Sequence, residues 1–100
     1  IMTDMLLTFY CAAIDRDGVA DALRGRTPAP LHLRDEQVLG RDFADAGAGE
    51  QVRGTLRRAA IDLIVPADDV APLVAAVTDA RRGHPVRWHA CPVAARGRIA

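Results

Sequence analysis

The sequence predicts a single α+β domain whose strands and helices follow one another in the order βαββαβ. Two runs with helical spacing alternate with runs rich in apolar residues, and Gly or Pro residues separate them. With 100 residues, half of them apolar, the chain has material for one hydrophobic core. We take residues 2–100 as this domain and interpret Ile1, which precedes Met2, as a residue left by cloning.

The first strand is predicted over residues 4–11 and carries apolar side chains on both faces. A strand covered on one side only should alternate apolar and polar residues. In a two-layer domain of this size the helices cover one face of the sheet, so the other face requires a second copy of the chain. The sequence therefore predicts self-association. The apolar residues are Met5, Leu7, Phe9 and Cys11 on one face, and Leu6 and Tyr10 on the other.

Capping residues and strand patterns define the remaining elements. We expect Asp15 or Asp17 to cap the first helix, and Asp68 or Asp69 to cap the second, which Gly83 closes. The order is that of the ferredoxin-like split βαβ fold, an antiparallel four-stranded sheet with two helices on one face. The predicted elements are a helix at 15–24, strands at 31–39, 55–65 and 86–93, a second helix from about 68 to 83, and a long Gly-rich connection at 40–54.

The composition excludes several classes of chemistry. All 13 basic residues are Arg, they balance 13 acidic residues, and the chain has no Lys, Ser or Asn. It therefore lacks a serine nucleophile, a Schiff-base lysine and a P-loop lysine. The balanced charge argues against a nucleic-acid binder, and no run approaches the roughly 18 apolar residues of a membrane-spanning helix. We predict a binding protein rather than an enzyme, with no direct membrane insertion and, without a secretory signal, a cytoplasmic location.

Two residues of the last strand are candidates for a metal site. His89 and Cys91 are two positions apart, so they share one strand face and could reach the same soft ion. A complete site needs one or two further ligands, from His32 or from a carboxylate of a neighbouring chain. The alternative is that His89 is an ordinary hydrogen-bonded or exposed strand residue. Because Cys91 is expected opposite the start of the first strand and Cys11 lies at its other end, we predict no disulfide.

Four stretches of the sequence carry a resemblance to a known family. They are the opening Met5-Leu6-Leu7 run, Glu50-Gln51-Val52-Arg53-Gly54 with Arg57, the helix at 67–80 with Leu73-Val74, and Val86-Arg87-Trp88 with Pro92-Val93 and Gly97. In their order and spacing they resemble a bacterial family of uncharacterised PII-like proteins whose genes commonly lie beside heavy-metal efflux pumps. The resemblance implies a homotrimer whose sheets face a shared centre. It also makes residues 40–54 the counterpart of the PII effector loop.

The resemblance also makes the arginines near the long connection and the tail candidates for binding an anion. Arg forks bind phosphate, and PII relatives hold nucleotides between subunits near this loop. The alternative is that these are solvated surface residues. No cofactor is required, but a transition metal or an adenine nucleotide is the implied ligand, and a membrane efflux protein the implied partner. The anion candidates are Arg41, Arg53, Arg57, Arg96 and Arg98, and the partner-contacting candidates are Phe43, Glu50 and Gln51.

Two other functions remain open from the sequence. A small dimeric ferredoxin-like enzyme of the monooxygenase type would also bury both faces of the sheet, and two subunits instead of three would distinguish it. A direct metal-binding protein would depend on His89 and Cys91. Trp88, on the last strand, is predicted to lie in the core or at a subunit interface.

Overall fold

The computed structural model describes residues 3–39 and 55–100, and its elements follow the predicted βαββαβ order. A short 3₁₀ turn precedes each helix, at Ala13–Asp15 and Ala67–Asp69. Within the described ranges, neither helix is long and apolar enough to cross a bilayer. The elements are β1 (Asp4–Ala12), α1 (Arg16–Arg24), β2 (His32–Leu39), β3 (Thr55–Pro66), α2 (Val70–Ala80) and β4 (Arg87–Pro92).

The four strands form one antiparallel sheet in the order β2-β3-β1-β4, which confirms the ferredoxin-like α+β prediction. β1 and β3 are central, and β2 and β4 are the edges. Leu6 lies opposite Cys91 and Cys11 lies opposite Ala59. The two cysteines therefore sit at different ends of β1, and both are free, as predicted.

The core lies between the helices and one face of the sheet, which we call the helix face. Alternate residues of β1 and β3 point into it, as the period of two requires, and each helix contributes an apolar stripe. Burying one such Leu or Phe side chain contributes about 1.5–3 kcal/mol. The largest residues buried in this core are Leu7, Phe9, Val19, Leu23, Ile61, Leu63, Val65 and Leu73.

The opposite side of the sheet, which we call the open face, is covered by neither helix. Leu6 and Tyr10 lie on it, as the sequence predicts, and both are partly buried. Thr8 stands between them and is only 2% exposed. The open face of β1 therefore combines apolar side chains with a buried hydroxyl, whereas the residues of β1 on the helix face are apolar.

The predicted helix caps are wrong in their mechanism. Asp15 and Asp69 occupy the N-cap positions of α1 and α2, but neither side chain makes a capping hydrogen bond. Each is the last residue of a 3₁₀ turn and already has helical backbone angles, whereas a capping residue normally has an extended backbone. α2 ends at Ala80, because Arg81 is extended; Gly83, predicted to close the helix, lies three positions beyond its end and, with φ of 83°, turns the chain towards β4.

Trp88 does not join the core of the single chain. Its backbone pairs with Phe9, which places it on the helix face, but β4 is an edge strand and the side chain remains 47% exposed. The subunit-interface alternative for this residue stays a prediction.

Candidate functional site

Three connections meet at one edge of the sheet, which we call the upper edge. β1 and β2 end there and β3 and β4 begin there, because the outer pairings are antiparallel. The turn from β1 to α1, the end of β2, the start of β3 and the connection from α2 to β4 are therefore neighbours. The opposite edge, the lower edge, carries the start of β1 and the tail that follows β4.

A buried carboxylate joins two of these connections at the upper edge. Asp15 is 3% exposed, and its Oδ2 lies 3.3 Å from Nδ1 of the half-exposed His84. The distance suits an ion pair with a protonated imidazole, but no group in residues 3–39 or 55–100 satisfies hydrogen-bond geometry to either carboxylate oxygen. A buried acceptor without a hydrogen bond is unfavourable. The Asp15 carboxylate is thus a buried acceptor whose one close charged neighbour among the described residues is His84.

Cys11 lies close to this carboxylate but is not an activated nucleophile. Burial raises the pKa of the Cys11 thiol, and the negative charge of Asp15 raises it further, while Arg58 and Arg16 oppose the shift. A thiol with a raised pKa stays protonated at neutral pH, whereas the thiolate is the reactive form. Cys11 therefore functions as a core residue.

A cleft of about 450 Å³ opens at the base of segment 40–54. It lies where β2 approaches its end and β3 has just begun. Arg16 Nη1 is 3.6 Å from Asp35 Oδ1 across it, so that the start of α1 is joined to β2. Guanidinium, carboxylate and amide groups together can bind a polar ligand that carries both acceptors and donors. The lining residues are Ala13, Arg16, Asp35, Glu36, Gln37, Arg57 and Arg58.

The described anion candidates do not meet in one chain. Arg57 lines the upper-edge cleft, whereas Arg96 is at the lower edge with its Nη1 3.7 Å from Asp4 Oδ2. The two edges are separated by the length of β1, about 25 Å at 3.3 Å per residue. Arg98 is exposed in the tail. The remaining anion candidates, Arg41 and Arg53, and the partner-contacting candidates Phe43, Glu50 and Gln51 lie outside the described residues.

The structure brings together two of the three proposed metal ligands. His89 and Cys91 share the open face of β4, opposite Thr8 and Leu6, and both are exposed. His32 is also on the open face, but it is on β2, three strand spacings or about 14 Å from His89. Among the described residues no three His, Cys, Asp or Glu side chains are grouped to hold a metal ion. A site with all three would require a second chain.

A polar network on the open face is not evident from the sequence. Thr8 Oγ1 donates to Asp62 Oδ1 at 2.6 Å, and Arg34 Nη1 forms an ion pair with Asp62 Oδ2. Arg34 also contacts Glu36 Oε2 at 3.3 Å, so the network crosses β1, β3 and β2. The available signal was Asp62 itself, an acid in the middle of an otherwise apolar strand, which needs a partner once it is buried.

Solved structures share this fold. A DUF3240 family protein from Shewanella baltica OS155 superposes with a TM-score of 0.78 at 18% identity, with full coverage of both chains. The PII protein of Arabidopsis thaliana, solved bound to citrate, superposes with a TM-score of 0.69 at 13% identity, over 91% of this chain and 78% of that one. No curated protein matches the sequence. The profile of DUF3240, a family of proteins of unknown function, matches residues 2–100, and the chain therefore belongs to the DUF3240 family.

Proposed function

We propose that this chain is the subunit of a PII-like regulator, a homotrimer that binds a small ligand and acts on a partner protein through segment 40–54. One observation carries the proposal: the polar cleft at the upper edge is lined by residues of β2 and β3, the two strands that flank this segment. Gln37 on β2 and Arg57 on β3 are direct partners in the sheet and both line the cleft. A ligand in the cleft therefore contacts the two strands that the segment joins.

The charge distribution suggests how a ligand would be sensed. The ion pair between Arg16 and Asp35 is on the exposed side of the cleft, with side chains 41% and 83% exposed. Such a pair contributes little to stability, about 0–1 kcal/mol, so an anionic ligand can compete for Arg16 at small cost. A ligand shifts a conformational equilibrium only by its difference in affinity between two states. We propose that the two conformational states differ in the arrangement of the protein between the end of β2 and the start of β3, where segment 40–54 joins these strands.

The finer assignments come from the family resemblance. We propose an adenine nucleotide or a transition metal as ligand, a cytoplasmic location and a component of a heavy-metal efflux system as partner. Phe43, Glu50 and Gln51 are the residues proposed to contact the partner. We propose a binding role rather than a catalytic one; burial and the charge of Asp15 raise the pKa of the Cys11 thiol, which disfavours its use as a nucleophile.

Assembly is proposed to occur through the open face. Leu6 and Ile64, paired neighbours on that face, are partly exposed in the single chain and supply apolar area for contact with other copies. The network of Thr8, Asp62 and Arg34 lies beside them and holds the charged groups of Asp62 and Arg34 together on the open face. A dimer instead of a trimer would favour the monooxygenase-type alternative.

A second candidate function is direct metal binding. The specific observation is that His89 and Cys91 lie exposed on the same face of an edge strand. They provide two ligands, and another copy of the chain would have to supply the rest. Replacing both residues should abolish metal uptake in this case and should leave nucleotide binding intact.

The test is a thermal-shift panel on the purified protein. It includes zinc, copper, cobalt and nickel, and ATP, ADP, AMP and cyclic nucleotides with and without magnesium. A ligand at about 100 times its dissociation constant adds roughly 2.7 kcal/mol, which corresponds to several degrees in a domain of this size.

Variants of the candidate residues show which site binds the ligand that raises the melting temperature. If a nucleotide raises the melting temperature, Arg57→Gln should remove the shift, while Arg26→Gln, an exposed residue outside the cleft, should retain it. If a metal raises it, the double replacement of His89 and Cys91 should remove the shift. A nucleotide shift that both arginine variants retain would contradict the cleft as the ligand site.

A further inference from the structure

Trp88 stands at the mouth of a small pocket on the helix face, separate from the upper-edge cleft. The pocket lies between the second half of α2 and the beginning of β4, and its volume is about 300 Å³. None of its lining residues also lines the cleft at the base of segment 40–54. The lining residues are Phe9, Val74, Val77, Thr78, Arg81, Pro85, Val86 and Trp88.

The floor and walls of this pocket are apolar. Phe9 and Val77 form buried surface at 0% and 2% exposure, whereas the Trp88 indole remains 47% exposed. A half-exposed indole beside a buried apolar floor offers a flat surface on which a planar ring can stack. Ring contact there would remove apolar surface of both partners from water.

The polar groups of the pocket, Thr78 and Arg81, are three positions apart at the end of α2 and favour an anion. Thr78 Oγ1 donates its proton to the backbone carbonyl of Val74 at 2.8 Å, so it offers only acceptor capacity to a ligand. Arg81 is exposed, and within residues 3–39 and 55–100 its guanidinium has no ion pair or hydrogen bond. Arg81 is also the one charged residue among those that line the pocket. An unpaired guanidinium at the rim of an apolar pocket suits a carboxylate.

We propose that this pocket binds a small aromatic monocarboxylate, with its ring stacked on Trp88 and its carboxylate paired with Arg81. The volume is at the lower end of the range of small-molecule sites, which accommodates one ring and a short acidic arm. A ligand in this position also contacts Pro85 and Val86, immediately after His84 in the connection from α2 to β4. The site goes beyond the proposed function, because neither the metal nor the nucleotide hypothesis uses it.

Trp88 makes the test direct because it is the only tryptophan of the chain. The probe is phenylacetate, titrated to about 10 mM while tryptophan emission is recorded, because ligands of this size commonly bind in the millimolar range. The control is phenylacetamide, which has the same ring and nearly the same shape but no charge. We expect a saturable change in emission with phenylacetate, and at least about tenfold weaker binding of the amide, the factor that corresponds to one charge-assisted contact.

Two matched variants separate the Arg81 contact from general surface charge. Arg81→Gln should weaken phenylacetate binding about tenfold and leave the amide unchanged, whereas Arg82→Gln, an exposed neighbour that does not line the pocket, should bind as the unmodified protein does. Trp88→Phe should still bind phenylacetate, but more weakly than the unmodified protein does. Calorimetry measures this binding, because the variant has no tryptophan. Equal affinities for acid and amide, equal effects of the two arginine variants, or an emission change that does not saturate would each overturn the proposal.

Discussion

The helix face of the sheet is closed by apolar side chains of the chain itself, whereas the open face combines apolar side chains with charged and hydroxyl groups. Leu7 and Phe9 are buried on the first face, and Thr8 and Arg58 are 2% and 5% exposed on the second. The helix face is therefore stabilised by area removed from water and tolerates many apolar sequences. The open face depends on particular pairs, such as Thr8 with Asp62, and such pairs lose their contribution when one member is removed.

The largest loss of stability is expected for a substitution on the helix face. Phe9→Ala removes a fully buried ring of β1 from the core on the helix face and should lower the free energy of unfolding by about 3–5 kcal/mol. Urea denaturation at fixed protein concentration measures this change. Ala71→Gly, at an exposed position of α2, should cost only about 1 kcal/mol. Similar losses in the two variants would mean that the helix face is not the main source of stability.

The two cysteines differ in accessibility in the same way as the two faces of the sheet. Cys11 is buried on the helix face and the pKa of its thiol is raised by burial, whereas Cys91 is exposed on the open face. We expect Cys91 to react with iodoacetamide about 100-fold faster than Cys11 in the native protein, because Cys11 reacts only after local opening. Mass spectrometry of quenched samples gives both rates. Comparable rates without denaturant would place Cys11 outside the core.

The raised pKa of the Cys11 thiol also predicts a pH dependence. The unfolded chain releases the thiol proton at a lower pH than the folded protein does, so the contribution of Cys11 is complete below the unfolded pKa of about 8.5–9 and is lost as the pH rises above it. The free energy of unfolding should therefore decline at alkaline pH. In Cys11→Val this decline should be shallower, and an unchanged slope would show that another group causes it.

A smaller effect is expected on the open face. Asp62→Asn removes the charge that Arg34 contacts and weakens the acceptor for Thr8, and should lower stability by about 1–3 kcal/mol. Glu36→Gln removes the other partner of Arg34, at a more exposed position, and should cost about 0–1 kcal/mol. Denaturation of both variants gives the comparison. Equal costs would show that burial of Asp62 adds nothing to its interactions.

The smallest effect belongs to the edge of the open face. The His89 ring lies 5.6 Å from the Tyr10 ring, at a tilt of 36°, and is exposed. His89→Ala should change the free energy of unfolding by about 0.5 kcal/mol or less. His32→Ala, on the opposite edge strand, provides the matched control. A loss above 2 kcal/mol for His89 alone would indicate that another chain covers this edge and depends on the imidazole.

Sequence reasoning predicts the fold because the fold depends on periodic patterns. The alternation in β1 and β3 and the apolar stripes of the helices determine the element order and the helix face. The capping pattern does not predict the helix starts correctly, because Asp15 and Asp69 each end a 3₁₀ turn, whose geometry a capping rule does not include. Arg96 could have been assigned to the lower edge, since β4 must end there once the order is known.

The sites were less predictable because they depend on contacts between distant positions. Asp62 and Thr8 are 54 positions apart, and only the register of β1 against β3 makes them partners. Asp15 and His84 meet because two separate connections reach the same edge. A pattern in a single sequence contains neither the register nor the packing of connections, so the anion and metal candidates were grouped by residue type rather than by position.

The central claim, that the open face is covered by further copies of the chain, is tested most directly by the mass of the protein in solution. Light scattering after size-exclusion chromatography at about 50 µM should give three times the mass of one chain, since subunit association depends on concentration. Leu6→Glu, on the open face, should lower the measured mass towards that of one chain, and Ala71→Glu, on the exposed side of α2, should leave the mass unchanged. A monomeric unmodified protein at this concentration would contradict the claim.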